Sequence, residues 1–313
     1  MQCCFGDGKQ SKIALYSGGA TLAIARLKDA MERGGKCVGE RLLVCDLDGT
    51  LVSRDSVPEV VARSCRLLIE RGWRIMGATG RILASAKPHL EVIGAMRPAI
   101  LYDGARLMDY LSGEVMWEAL LPPEAANKAL EIGWDSSLKV QVFGDERVFC
   151  RSDDFATIAY FSSLGLPVER ISSPHIDEPV YRVIFYTIDK RCEEDIRGLV
   201  ERLKHELSGL ANVTMAGNSF IDVIPPEVSK GNTLKRFLSL ADDPLDIVVA
   251  VGDHMNDLEL LQVADFRVVV SSAPPQLLEI AHKVIPPAKE AGFAELAQWL
   301  LEDSFLKLIQ CKG

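Results

Sequence analysis

Apolar and polar positions along the chain form two repeating kinds of segment. Residues 42–45 and 247–251 are short, continuous apolar runs, which are typical of strands buried on both faces of a parallel sheet. Residues 58–72 and 82–93 instead repeat their apolar side chains at helical spacing. Because such strands and helices alternate, we predict an α/β fold with a doubly wound, mostly parallel, Rossmann-like sheet. The other elements predicted for this sheet are strands at 74–81, 99–102, 266–270 and 283–285 and helices at 231–240, 258–263 and 293–301.

The pattern changes between residues 104 and 224. Short strand-like segments on either side of Ser112-Gly113 predict a β-hairpin. Further strands are predicted at 139–143, 147–150, 180–188, 213–215 and 220–224, and helices at 123–133, 153–164 and 191–207. Hairpins mixed with helices indicate an α+β cap domain, residues 104–224, inserted into a core that comprises residues 41–103 and 225–313. Residues 1–40 form an extension of unknown role, with a partly helical pattern at 22–31.

Composition narrows the class of protein. Of the 313 residues, 48% are apolar and 25% are charged, as in ordinary globular proteins. No apolar run approaches the roughly 20 residues that span a bilayer, and the N-terminus lacks the pattern of a signal peptide. The formal net charge of -9 argues against nucleic acid as the main partner. We therefore expect no nucleic-acid or membrane partner, and the sequence leaves the oligomeric state open.

The cysteines indicate the compartment. The chain has 8 of them, scattered and without a Cys-x-x-Cys pair. This distribution fits a reduced cytoplasmic protein better than a disulfide framework.

Two carboxylates follow the first predicted strand. Asp46 and Asp48 stand at its carboxyl end, where open α/β sheets place their ligands. Like charges so close together are costly unless a cation or a shared proton relieves them, and a divalent metal is one such relief. The other interpretation is a simple turn, since Asp and Gly are common turn residues.

Three further polar or charged groups lie at the ends of predicted strands or at the start of a predicted helix. Thr79 ends a predicted strand, Lys230 opens a predicted helix, and Asp253 and Asp257 follow the strand at 247–251. Each group also has an ordinary explanation: a helix N-cap, a solvated lysine, or carboxylates that favour a helix N-terminus. Because a parallel sheet brings its strand ends to one crevice, the whole set predicts a single site.

Four short motifs carry a family resemblance. They are Asp46-Leu-Asp-Gly-Thr, Thr79-Gly-Arg, Ser229-Lys-Gly and Gly252-Asp-x-x-Asn-Asp. They resemble the motifs of the haloacid dehalogenase superfamily of phosphohydrolases, and the placement of the insert is similar to that of its Cof-like sugar-phosphatase branch. The resemblance covers residues 41–300. Asp103-Gly-Ala stands where that branch commonly has Asn-Gly-Ala.

The resemblance implies roles for the catalytic positions. Asp46 would be the nucleophile that becomes an aspartyl phosphate. Asp48 would protonate the leaving group and then deprotonate the hydrolytic water. Thr79 and the backbone amide of Gly80 would hold the phosphoryl oxygens, while Lys230 would offset negative charge.

The resemblance also implies a magnesium site. Asp46, Asp48 through its backbone carbonyl, and Asp253 would supply the oxygen ligands. Asp257 is a further candidate at this site and, with Asn256, would orient Lys230, the metal waters or the phosphate.

Further side chains could contact the substrate and recognise its leaving group. Arg81 could contact the substrate or the cap, although a structural salt bridge is an equal alternative. Candidates in the cap are Arg182, His175, Glu178 and Asn218, each with an ordinary surface role as the alternative.

The expected function is that of a Mg²⁺-dependent phosphatase. Its substrate would be a small phosphorylated metabolite, and we expect a sugar or sugar-conjugate phosphate. One alternative is a phosphotransferase that resembles the phosphomannomutases. The other is a non-catalytic phosphometabolite-binding protein that kept the fold.

Overall fold

The computed structural model describes residues 40–145, 147–187, 193–216, 219–240 and 245–302. Two features expected from the sequence lie outside these residues. They are the partly helical pattern at 22–31 and the turn at 217–218. None of the helices in the described part of the chain combines the length and the apolar character that a membrane crossing requires.

Five parallel strands form the central sheet, in the order β14-β13-β12-β1-β2. They are β1 (Arg41–Cys45), β2 (Trp73–Gly77), β12 (Ile247–Gly252), β13 (Phe266–Val270) and β14 (Lys283–Ile285). The register places Cys45 beside both Val251 and Gly77. The residues that follow these three strands therefore emerge at one edge of the sheet, and the predicted α/β fold with a parallel sheet is confirmed.

Six helices belong to the chain segments that form this sheet. They are α1 (Glu59–Glu70), α2 (Leu83–Val92), α6 (Lys230–Leu240), α7 (Leu258–Val263), α8 (Pro275–Ile280) and α9 (Gly292–Leu300). Helix α1 packs against α9, and α6 packs against α7. The contact between α6 and α7 matters for the site, because α6 begins with Lys230 and α7 follows Asp257 directly.

A second sheet has six strands in the order β10-β11-β9-β6-β7-β8. These strands are β6 (Lys139–Phe143), β7 (Val148–Arg151), β8 (Val168–Ile171), β9 (Arg182–Tyr186), β10 (Asn212–Ala216) and β11 (Phe220–Ile224). The intervening helices are α3 (Pro123–Gly133), α4 (Phe155–Ser163) and α5 (Glu193–Glu206). All pairings are antiparallel except that of β7 with β8. Strand β8 was not predicted, because it lies at the sheet edge and its Val-Glu-Arg-Ile sequence buries little.

The predicted hairpin at Ser112-Gly113 is confirmed, and it belongs to a separate small sheet. Strands β3 (Ala99–Leu101), β4 (Arg106–Met108) and β5 (Val115–Glu118) pair antiparallel in this order. The link from β3 to the central sheet is the parallel bridge between Ala78 and Ile100. The domain boundaries drawn from the sequence stay a prediction.

Two clusters of buried apolar side chains underlie the sheets. One contains Leu43, Trp73 and Phe293 and extends to Phe143 and Phe161. The other includes side chains of the six-stranded sheet together with α3 and α5. Cys45, Cys65 and Cys150 are buried and free.

The backbone of Gly104 lies against the backbone of Ser229, and this close contact fixes the start of α6. Gly104 has a φ of +103°, and a Cβ built on it would lie 2.3 Å from the carbonyl carbon of Ser229, next to Lys230. We predict that Gly104→Ala lowers the free energy of unfolding by about 2–5 kcal/mol, because backbone strain and a clash add together.

Gly113→Ala is the matched control, since Gly113 has a φ of +79° and nothing lies within 4 Å of a Cβ built on it. It should cost only about 1–2 kcal/mol. Urea unfolding of both variants measures the difference, and equal losses would contradict the role of the close approach.

Candidate active site

Adjacent parallel strands place two carboxylates side by side. Asp46 follows β1 and Asp253 follows β12, and the backbone N–H of Asp46 donates to the Val251 carbonyl at 3.0 Å. Asp46, Asp253 and Asp257 each offer an oxygen, and these atoms lie within 4.8 Å of one another. The structure therefore brings together the carboxylates of two motifs that are distant in sequence.

Lys230 occupies the centre of this cluster. The side chain is 1% exposed, and its Nζ donates to Asp46 Oδ1 at 2.6 Å and to Asp257 Oδ1 at 2.7 Å. Burial opposes the charge, but Asp257 and Asp46 outweigh it and hold the pKa of Lys230 above its ordinary value. Lys230 is therefore a paired ammonium ion in the interior, and the interpretation as a solvated lysine is wrong.

Asp257 is held by the backbone as well as by the lysine. Its Oδ2 accepts hydrogen bonds from the N–H groups of Asp253, at 3.0 Å, and His254, at 3.1 Å. The residue is completely buried. It thus ties the loop after β12 to Lys230.

Around Asp46, the carboxylates outnumber the one buried ammonium group, that of Lys230. Burial raises the pKa of Asp46 well above its usual range; Lys230 opposes this shift, while Asp257, Asp253 and Asp48 add to it. Burial, followed by the charge of Asp257, raises the pKa of Asp253 to about 7. A divalent cation that prefers oxygen ligands would balance this excess of carboxylates, so the donor set fits Mg²⁺.

Gly49 makes room for the Asp253 carboxylate. Its φ is +80°, and a Cβ built on it would lie 2.0 Å from Asp253 Oδ2. Any larger residue would displace this carboxylate from Asp46. The turn after β1 is real, and its glycine lies against the acidic cluster.

Asp48 is paired with Arg81 at the border of the site. Asp48 is exposed, and Arg81 donates to it from Nε, 2.9 Å from Oδ2, and from Nη2, 2.7 Å from Oδ1. Arg81 Nη2 also lies 2.7 Å from Asp55 Oδ1. Arg81 Nη1 donates to His89 Nε2 at 2.8 Å, which fits a neutral imidazole, since burial and the charge of Arg81 lower the pKa of His89. Asp55 and His89 were missed because neither belongs to a motif.

Thr79 and Gly80 form the turn that follows β2. Thr79 is fully buried, and its Oγ1 accepts the backbone N–H of Arg81 at 3.1 Å. The N-cap residue of α2 is Ile82, without a side-chain hydrogen bond. The alternative role of Thr79 as a helix cap is therefore wrong.

Arg182 connects the six-stranded sheet to this edge. Its Nε donates to Asp222 Oδ1 at 2.6 Å, its Nη1 donates to the Gly80 carbonyl, and its Nη2 lies 3.1 Å from Asp103 Oδ2. Asp103 Oδ1 in turn accepts from Asn256 Nδ2 at 2.8 Å and lies 4.0 Å from Lys230 Nζ. For Arg182 the alternative of a surface role is wrong, because the side chain is buried.

This network holds an aspartate at position 103, where the branch that the motifs resemble commonly has asparagine. Arg182 and Lys230 offset the burial of Asp103 and hold its pKa below the usual range. Asp222, on β11, was missed because nothing in its local sequence shows that it faces Arg182 of β9. The only signal for Asp103 was its departure from the Asn-Gly-Ala pattern.

Two other candidates from residues 104–224 make exposed ion pairs with residues outside this site. His175 is exposed and pairs with Asp177, and Glu178 lies 4.0 Å from Arg147 in an exposed ion pair. Asn218 lies outside the residues that the structure describes.

The site opens into a cavity of about 520 Å³. Its lining includes Asp46, Asp48, Gly80, Arg81, Asp103, Arg182, Asp253 and Asn256, together with Gln141, Phe143, Tyr160, Phe161, Ile184 and Phe220. The buried carboxylates are therefore accessible to a molecule of metabolite size, and side chains of both large sheets would surround it.

Comparisons with known proteins find relatives of similar sequence and structures of similar fold. The chain is 28% identical over 264 residues to the HMP-PP phosphatase of Cronobacter sakazakii, covering 83% of this chain and 96% of that protein. A haloacid dehalogenase-like hydrolase from Bacteroides thetaiotaomicron has a similar fold, with a TM-score of 0.71, 21% identity, and coverage of 84% of this chain and all of that one (100%). A HAD subclass IIB sugar phosphatase gives a TM-score of 0.69 at 18% identity, covering 83% of this chain and 98% of the other.

The family model for haloacid dehalogenase-like hydrolases matches residues 43–296. This span contains all four motifs, the six-stranded sheet and the central sheet except for the first two residues of β1. The family expected from the motifs is confirmed, and the chain belongs to the haloacid dehalogenase-like hydrolases.

Proposed function

We propose that this protein hydrolyses a phosphoric monoester of a small metabolite through a phosphorylated Asp46. The observation that carries the proposal is the Asp46 carboxylate, held by Lys230 beside Asp253 in the lining of a metabolite-sized cavity. The chain is a hydrolase by family, and its similarity to an HMP-PP phosphatase supports a phosphoric monoester hydrolase.

In the first step, an oxygen of Asp46 attacks phosphorus and the bond from phosphorus to the ester oxygen breaks. Asp48 gives its proton to the departing alkoxide. In the second step, water attacks the aspartyl phosphate, Asp48 takes a proton from that water, and the bond between phosphorus and Asp46 breaks. Inorganic phosphate leaves, and both carboxyl groups return to their starting states.

The pairing of Asp48 with Arg81 bears on how the phosphate enters. Arg81 donates hydrogen bonds to both carboxylate oxygens of Asp48. We propose that an entering phosphate competes with Asp48 for the guanidinium of Arg81, since Asp48 and Arg81 both line the cavity. The carboxyl group of Asp48, no longer paired with Arg81, would then be available to the leaving group.

Positive charge around the phosphoryl group comes from the chain itself and from the proposed metal. Lys230 and the backbone amide of Gly80, next to Thr79, would bind phosphoryl oxygens. Asp46, Asp253 and the carbonyl of Asp48 would hold Mg²⁺, which when bound supplies charge that keeps the carboxylates ionised and polarises the phosphoryl group. For Asp257 we propose a positioning role, because its two oxygens accept hydrogen bonds from Lys230 and two backbone amides.

Hydrolysis is favoured over the two alternatives. Asp46, Asp48 and Asp253 line one cavity, and Lys230 donates a hydrogen bond to Asp46. This complete set favours an enzyme over a binding protein that only kept the fold. The named phosphatase relative favours water over a second sugar as the phosphoryl acceptor. The expectation of a sugar or sugar-conjugate phosphate is consistent with the name of one structural neighbour, whose low identity supports the fold alone.

We predict that Asp46→Asn abolishes release of inorganic phosphate, lowering turnover by at least about 10³-fold, because an amide cannot act as the nucleophile. A colorimetric phosphate assay over a panel of sugar, nucleotide and cofactor phosphates, with and without Mg²⁺, provides the measurement.

The control variant is Asp135→Asn, which changes an exposed aspartate of the insert and should leave turnover unaltered. Retained activity in Asp46→Asn would refute Asp46 as the nucleophile, and phosphosugar isomerisation without phosphate release would favour the phosphotransferase.

We also predict that stabilisation by Mg²⁺ increases with pH. The folded metal-free chain has an Asp253 pKa of about 7 against an ordinary value of 3.8, so it keeps a proton that the unfolded chain has lost. Its free energy of unfolding therefore falls as the pH rises from about 4 to about 7. Because Mg²⁺ binds the ionised carboxylates, its effect on Tm should be larger at pH 8 than at pH 5.

Thermal unfolding at both pH values, with MgCl₂ or with KCl of equal ionic strength, measures this effect. Asp253→Asn should remove most of the response to Mg²⁺. A Tm at pH 8 that does not respond to Mg²⁺ would contradict the proposed metal site.

A further inference from the structure

The cavity above Asp46 has two chemically different walls. The wall at the edge of the central sheet is polar and charged, with Asp46, Asp48, Arg81, Asp253 and Asn256. The facing wall comes from α4 and the six-stranded sheet and consists of Gln141, Phe143, Tyr160, Phe161, Arg182, Ile184 and Phe220. Four of these seven side chains are aromatic, so the phosphate end and the far end of a bound ester meet different surroundings.

The aromatic side chains of the facing wall support one another. The ring of Phe161 makes edge-to-face contacts with Phe143, at a centroid distance of 5.6 Å, and with Tyr160, at 4.9 Å. Phe220 stacks on Tyr186 with ring centroids 5.7 Å apart and planes 10° apart. These contacts hold the rings in fixed orientations, which lowers the entropy cost of binding against them.

Two of the rings keep much of their surface uncovered. Tyr160 and Phe220 are each 42% exposed, although both line the cavity. Apolar surface that stays in contact with water is the surface from which an apolar ligand gains most on binding. The facing wall thus offers the flat sides or edges of rings to whatever lies beyond the phosphate.

Polar atoms on this wall are few and mostly engaged. Gln141 Nε2 donates to Thr157 Oγ1 at 2.7 Å, and the guanidinium of Arg182 is held by Asp222, Asp103 and Gly80. Among the described residues of the wall, the Tyr160 hydroxyl is the other polar side-chain group. A sugar would leave hydroxyl groups here with few partners, and an unpaired buried hydroxyl is costly.

The rings line the same cavity as the proposed proton donor, Asp48. Asp48 would protonate the ester oxygen, so the group attached to this oxygen would extend towards Tyr160 and its neighbour Phe161.

We propose that the leaving group carries a planar aromatic or heteroaromatic ring, joined to the phosphate by a short linker, and that Tyr160, Phe161 and Phe220 select it. This inference rests on the proposed function and names the substrate class for the same site. It replaces the expectation of a sugar phosphate, which becomes one outcome of the test.

Three phosphate esters of similar shape test whether the site prefers an aromatic, a saturated or a hydroxylated ring. Benzyl phosphate, cyclohexylmethyl phosphate and glucose 6-phosphate each place a six-membered ring one methylene from the ester oxygen, but the ring is aromatic, saturated or hydroxylated. With Mg²⁺ present, kcat/KM should be about tenfold higher for benzyl phosphate than for glucose 6-phosphate and about threefold higher than for cyclohexylmethyl phosphate. Equal values, or a preference for glucose 6-phosphate, would overturn the inference while leaving the phosphatase activity intact.

Binding to the Asp46→Asn variant keeps the two proposals distinguishable. Calorimetry should show tighter binding of benzyl phosphate than of glucose 6-phosphate even without turnover. A ring preference in binding with no turnover of any ester by the wild type would support the ligand class and contradict the proposed function. Absence of a ring preference in binding would overturn the inference.

Single substitutions locate the selecting surface. Phe220→Leu and Tyr160→Leu should each raise KM for benzyl phosphate about threefold to tenfold and change KM for glucose 6-phosphate less than about twofold. Phe155→Leu is the matched control, because Phe155 is 70% exposed and does not belong to the cavity lining. Equal effects of Phe220→Leu on both esters, in variants whose Tm is unchanged, would contradict selection by the rings.

Discussion

The buried ammonium of Lys230 is the interaction on which the rest of the site depends. A charge that is removed from water is stable only when partners surround it, and Lys230 lies between Asp46 and Asp257. Asp46 is 184 residues away in the sequence and Asp257 is 27 residues away, so this pairing requires the correct register of β1 and β12 and the correct start of α6. The same charge holds the proposed nucleophile in place and leaves an excess of carboxylate that suits a divalent cation.

A second buried cation extends this arrangement to the other sheet. Arg182 contacts Asp222 within the six-stranded sheet and reaches Asp103 and Gly80 beside the central sheet. Because Asp103 lies 4.0 Å from Lys230, the two cations share an acidic neighbour. The aromatic wall of the cavity, which would bind the leaving group, is therefore fixed relative to Asp46, the carboxylate that would attack phosphorus.

Sequence patterns predicted the parts of this structure that local chemistry determines. The apolar run before Asp46 and the run before Asp253 had to be buried parallel strands, and their adjacency follows from the topology of such sheets. Edge strand β8 was missed since its residues are largely unburied, and so was α8, which has only six residues. The pairs that Arg182 makes with Asp103 and Asp222, and the aromatic wall, depend on how separate elements pack. No local pattern encodes those contacts.

A double-mutant cycle on Lys230→Met and Asp257→Asn tests this account most directly, with the free energy of unfolding as the readout. Lys230→Met leaves Asp46 and Asp257 without their shared cation and should lose about 3–5 kcal/mol. Asp257→Asn leaves Lys230 paired with Asp46 and should lose about 1–3 kcal/mol. The double variant should lose less than the sum, with a coupling energy of about 2 kcal/mol or more. Losses that add to within about 0.5 kcal/mol would show that the buried pair does not organise the site.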